Sequence, residues 1–168
     1  KSGTSVPTSS SDITIRANSF SFNDYRPYIA TTGIFTLEPV STSTSFGQNV
    51  STDWWNWNQN SQTLSGLTFG KSGNTRNINH QTNALTVNGP VNFYGGDTTF
   101  SATITTSGAI DVVSSGGIDI DQNITITGAN QNLTFKAFDE IDQASSSVTI
   151  QTNGGSVVYW ANSDGNTG

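Results

Sequence analysis

The sequence predicts an all-β protein wound as a parallel β-helix, or β-solenoid. Three observations predict it. From Leu64 to Trp160, short runs with apolar residues at i and i+2 are each closed by Gly, Asn, Asp or Ser, and the pattern then restarts. No run has the length or spacing of an amphipathic helix. Thr, Ser and Asn together make up 66 of the 168 residues, against 32% hydrophobic and 11% charged. β-Branched Thr suits strands, while Asn, Ser and Gly suit corners. A solenoid needs a core only one or two side chains wide, so so polar a chain can still fill it. Disorder is the other reading of low hydrophobicity, but here aromatics reach 10% and the apolar residues are patterned.

Residues 1–11 are rich in Ser and Thr and read as a loop. Asp12-Ile13-Thr14-Ile15-Arg16 alternates cleanly and is the first strand. Ser19-Phe20-Ser21-Phe22 is expected as a second, ended by Asn23-Asp24, and Gly33–Glu38 as a third, stopped by Pro39. Residues 40–63 break the pattern and contain Asp53-Trp54-Trp55-Asn56-Trp57-Asn58, so they are expected to leave the stack as an irregular insert. Strands then follow at Leu67-Thr68-Phe69, Ala84–Val87, Val91–Tyr94, Ile110-Asp111-Val112, Gly117–Ile120, Ile124–Thr127, Asn132–Phe135, Val148-Thr149-Ile150 and Val157–Trp160. Like apolar positions recur 18 residues apart from Leu67 to Leu85 and 24 apart from Ile124 to Val148. Coils of about 18–25 residues with about three strands each fit that spacing. Glycine pairs at Gly95-Gly96, Gly116-Gly117 and Gly154-Gly155 are expected at corners. No composition shift marks a second domain, so residues 1–168 read as one solenoid segment, expected to belong to a longer array.

The net charge of −6 argues against nucleic acid, because the six Lys and Arg are scattered and make no phosphate-tracking stripe. Anionic membranes are disfavoured for the same reason, and no apolar run is long enough to insert into a bilayer. Without Cys there is no disulfide framework and no thiolate metal site. No cofactor is expected.

Three stretches resemble the β-strand repeats of very long bacterial surface adhesins of the filamentous-haemagglutinin-like kind. That group includes the gliding-motility adhesins that Bacteroidota export through the type IX system. The stretches are Leu64–Thr75, with Leu67-Thr68-Phe69-Gly70-Lys71-Ser72-Gly73-Asn74 at its centre; Val87–Asp97, with Asn88-Gly89-Pro90-Val91-Asn92-Phe93-Tyr94; and Gln151–Asp164, with Gly154-Gly155-Ser156-Val157-Val158-Tyr159-Trp160. With the strands between them they cover about residues 64–164; the first third matches more loosely. The resemblance implies a right-handed parallel β-helix, display at the extracellular cell surface, and structural or adhesive work in a stalk or filament. Adjacent repeats and surface glycans or host surfaces are the partners it implies. It brings no catalytic residues, so an enzyme is not expected.

Four constellations remain. Trp54, Trp55 and Trp57 are either anchors of a cap or a platform for sugar rings or a protein partner, with Asn56 and Asn58 able to bond hydroxyls; the cap is preferred. Asp119 and Asp121 alternate with Ile118 and Ile120 and so share a face. With Asp111 one coil away they are candidates for carbohydrate cleavage or for a weak Ca²⁺ site, against the plainer reading of a solvated face. Asp139, Glu140 and Asp142 form a second such cluster. Thr98, in Asp97-Thr98-Thr99, fits an O-glycosylation pattern of Bacteroidota, and Asn49, Asn123 and Asn132 head formal N-glycosylation sequons. His80, the only histidine, lies in Asn79-His80-Gln81-Thr82 and is read as an exposed turn. Trp160 closes a strand and is read as core. The Thr-Ile-Thr rows at 103–105 and 125–127 resemble those of ice-binding solenoids, but Asp111, Asp119 and Asn132 are expected to interrupt them.

Overall fold

The structure, a computed structural model, describes residues 10–22, 26–41, 43–55 and 63–163. The chain winds as a β-solenoid of about six turns. Its strands are β1 (Ile13–Arg16), β2 (Ile34–Glu38), β3 (Val50–Ser51), β4 (Gly66–Phe69), β5 (Ile78–His80), β6 (Leu85–Val87), β7 (Val91–Gly95), β8 (Thr98–Phe100), β9 (Ile104–Thr106), β10 (Ile110–Ser114), β11 (Ile118–Ile120), β12 (Ile124–Ala129), β13 (Leu133–Ala137), β14 (Ile141–Gln143), β15 (Ile150–Asn153) and β16 (Val157–Trp160). One short 3₁₀ helix, η1 (Thr52–Trp54), follows β3. Three parallel sheets form the walls: β1-β2-β4-β7-β10-β13-β16, β14-β11-β8-β5-β3 and β15-β12-β9-β6. From β4 onward each coil takes one strand from each wall in turn.

Alternation decides what lies inside. In β7, Val91, Phe93 and Gly95 face the core and Asn92 and Tyr94 face out; β10 and β13 repeat the pattern in register, with Ile110↔Val91 and Leu133↔Ile110. Phe35, Phe69, Phe93, Phe100, Phe135 and Tyr159 form a chain of ring contacts along the axis, each 5.3–6.1 Å from the next. The fifth coil breaks the column, because Val112 stacks between Phe93 and Phe135. Phe100 crosses from the facing wall and fills the room that Val112 leaves.

The asparagines have a repeated task. A side chain just before a strand accepts a hydrogen bond from the backbone N–H of the next coil. Asp12 accepts from Ile34, Asn49 from Asn77, Asn77 from Asp97, Asp97 from Gly117, Asn123 from Thr149 and Asn132 from Ser156. These bonds span 20 residues at Asn77–Asp97 and 26 at Asn123–Thr149, which measures the coil length directly. A corner carbonyl or amide has few backbone partners, so a short Asx side chain supplies one. The three sequon asparagines all sit at such corners.

Four expectations are corrected. Ser19–Phe22 is not a strand; Phe20 and Phe22 fold into an aromatic cluster instead. The insert at 40–63 does not wholly leave the stack, since Val50–Ser51 pairs with β5. Trp160 is 53% exposed, because it alternates with Tyr159 and so lies outside the coil, with the Lys136 ammonium 4.5 Å from its ring centre. Thr86, Thr105 and Thr125 do stack in register, and the row ends at Gln151; the residues expected to interrupt it lie on other walls.

Candidate functional site

The two ends of the solenoid differ. At the first coils, Phe20 packs on Phe22, Phe46, Trp54 and Trp55, with ring centres 6.0–6.2 Å apart. Trp55 also meets Phe35 at 5.5 Å and is only 4% exposed. This cluster closes the end of the core. Trp55 is therefore a cap anchor, while Trp54 is half-buried and Trp57 lies outside the described residues.

Trp54 stands at a cleft of about 420 Å³ beside η1, whose polar walls include Arg26, Asn49, Asp53, Asn79 and Gln81. Its geometry is built locally. Ser51 accepts from the Asp53 backbone N–H and so starts η1. Asn79 points outward from β5, opposite Ser51 in the register. Thr52 anchors the turn inward through His80, whose Nδ1 lies 2.8 Å from the Thr52 hydroxyl and whose Nε2 lies 3.3 Å from the Thr103 carbonyl oxygen. A carbonyl only accepts, so Nε2 carries the proton and Nδ1 accepts from Thr52 in the neutral ring. Asp53 and Trp54 follow directly and face the cleft.

His80 corrects the exposed-turn expectation. It is 1% exposed and ties together three successive coils. Ile78 and His80 alternate on one strand, so an inward Ile78 forces His80 inward too. Burial lowers the His80 pKa from the ordinary 6.5, and the Thr103 bond and the Asp53 charge pull it partly back. The folded state thus binds fewer protons than the unfolded chain between the two pKa values. Stability should be complete above the unfolded value and fall as pH drops through that window. Melting curves at about pH 7.5 and about pH 5 should show the acid sample melting lower, and His80→Gln should flatten that difference. An equal pH dependence in the variant would assign the effect to other groups.

The remaining candidates lie elsewhere. Asp119 and Asp121 share the outward side of the β11 wall, where they accept from Thr99 at 3.4 Å and Ser101 at 2.9 Å. Asp142 stacks beside Asp119 in register. Asp111 faces out from a different wall, so the three aspartates do not meet in one groove. Burial raises the Asp111 pKa, against the lowering effect of Lys136 and a Tyr94 hydrogen bond. Among the described residues no group of three His, Cys, Asp or Glu could hold a metal ion. Thr98 is fully buried and its hydroxyl lies 2.7 Å from that of Ser114. In the folded coil that hydroxyl is out of reach of a glycosylating enzyme, and Thr99 is the outward member of the pair. No described helix is long and apolar enough to cross a membrane.

At the other end nothing comparable to the cap is found among the described residues. β16 is last in its wall, and Val157, Val158, Tyr159 and Trp160 are 40–53% exposed. Comparison with known proteins returns no matching family model, no matching curated protein and no matching solved structure.

Proposed function

We propose that this chain is a structural and adhesive β-helical stalk segment of a long extracellular bacterial surface adhesin or filament. The observation that carries it is the repeated stacking: β4, β7, β10, β13 and β16 pair parallel and in register, each coil laid on the one before. At one end aromatic rings pack over the core; at the other, the inward residues Val157 and Tyr159 are partly exposed and β16 has one edge without a strand partner among the described residues. The resemblance of residues 64–164 to surface-adhesin repeats supports the same reading. Its mechanism is mechanical: strands bond from coil to coil along the axis, apolar columns fill the inside, and Thr, Ser and Asn meet water. Immunogold labelling of intact cells that produce the protein tests it. Gold on the outer surface is the expected result, and labelling only after permeabilisation overturns it.

The open edge gives a further expectation. The isolated chain should self-associate at high concentration through β16, as read by light scattering. Tyr159→Lys points a charge at that end and should reduce the association. Unchanged association would place the contact elsewhere.

A second reading, a carbohydrate-binding module, is favoured by the cleft beside Trp54. The cleaving form of that reading needs paired carboxylates, and Asp111 lies on a different wall from Asp119 and Asp121.

A further inference from the structure

We infer that the cleft at the capped end is a binding site for a neutral pyranoside, with Asp53 accepting from adjacent ring hydroxyls and Trp54 packed on an apolar ring face. The inference rests on the carbohydrate-binding reading and gives it a site and a ligand class.

Asp53 carries the argument. It is 8% exposed, yet it lines the cleft. Its backbone N–H is used by Ser51, but no described residue donates a hydrogen bond to its carboxylate. Its oxygens are open to the cleft, so they remain available to accept from a ligand that enters it. An ionised carboxylate only accepts, and two neighbouring hydroxyls on a sugar ring match its two oxygens.

The other walls narrow the choice. The indole of Trp54 is half-buried, so one part is held by the cap while another remains open to a ligand. Indoles stack against apolar C–H faces and so suit the flat side of a pyranose. The Asn79 and Gln81 side chains make no hydrogen bond to another described residue and offer both donors and acceptors. Arg26 at the rim and Asp53 on the wall give the cleft one charge of each sign, which favours a neutral ligand over an ion. A cation alone is disfavoured, because Asp53 belongs to no ligand cluster among the described residues. The volume of about 420 Å³ lies in the range of small-ligand sites. His80 and Thr52 hold the turn from beneath, so the wall is preformed.

The test uses saturation-transfer NMR with methyl glycosides of mannose, galactose, glucose, fucose and N-acetylglucosamine, on the full chain. At least one should bind with millimolar affinity. Trp54→Ala should abolish the signal, and Asp53→Asn should weaken it by about 10-fold or more, as expected for a hydrogen bond to a charged group. Trp160→Ala, at the opposite end, should leave it unchanged. Circular dichroism checks that each variant is folded, and Gln81→Ala, a change at an exposed position, gives an independent weakening if Asp53→Asn unfolds. Binding that survives both Trp54→Ala and Asp53→Asn overturns the site but keeps the carbohydrate reading. No binding of any glycoside to the unaltered chain overturns both.

Discussion

Phe100→Ala is expected to destabilise the solenoid by about 3–5 kcal/mol, the range for emptying a large aromatic site in a packed core. The reason is its position. Phe100 is fully buried and its ring lies 5.3 Å from Phe93 and 6.1 Å from Phe135. It bridges the one place where the aromatic column is interrupted by Val112. A solenoid is held by contacts between neighbouring coils, so weakening one junction lowers cooperativity as well as stability. Denaturant unfolding followed by circular dichroism should show a lower midpoint and a transition that broadens or splits. Phe100→Leu, which keeps most of the volume, should recover much of the loss. A single, equally steep transition with an unchanged midpoint would show that the junction does not depend on this ring.

Gly70→Ala is expected to cost about 2–5 kcal/mol, from left-handed backbone strain together with overpacking. Gly70 has φ +79°, and a Cβ there would sit 2.0 Å from the Tyr94 carbonyl oxygen in the next coil. That oxygen is not free to move, because Asn74 Nδ2 donates to it at 2.8 Å. Asn74 is itself 2% exposed, and its Oδ1 accepts from Ser45, Phe46 and Arg76. The new methyl group therefore presses on a hydrogen-bonded knot that joins three coils. Gly117→Ala is the control: its nearest contact would be the Glu140 carbonyl oxygen at 3.4 Å, with no positive φ. Melting temperatures of the two variants should separate clearly, with the control within about 0.5 kcal/mol of the parent. Equal losses in both would mean that the coil spacing relaxes easily at Gly70.

Legibility varied by element. Strands β7, β10 and β13 follow from alternation alone, since Ile110, Val112 and Ser114 or Leu133, Phe135 and Ala137 can only all face one way. The same rule places His80 beneath Ile78 and Trp160 outside Tyr159, although residue type suggested the reverse in each case. Trp is highly buried on average and His intermediate, but on a strand position outweighs type. The short strands β5, β8 and β14 were harder to see, because Asn, Thr, His, Asp and Gln fill most of their places.

Of the candidate site, the sequence showed Trp54 as a candidate but not its neighbours. Asp53 looked like any surface acid, and Arg26, Asn49, Asn79 and Gln81 are separated from it in the chain by up to 28 residues (Asp53 to Gln81). They converge because successive coils stack Ser51 over Asn79, and because His80 pulls Thr52 inward. The paired-carboxylate expectation shows the converse. Asp111 and Asp119 are close in sequence yet occupy different walls, since a corner at Gly116-Gly117 turns the chain between them.

The sequence by itself determined the architecture: a period of two, with corners marked by Gly and Asx, leaves a parallel solenoid as the way to bury so few apolar side chains. Only the tertiary structure decided which residues meet across coils, which end is capped, and that Asp53 opens into the cleft beside Trp54. Alternation is local and can be read along a strand, whereas the stacking offset depends on the summed length of every loop in a coil.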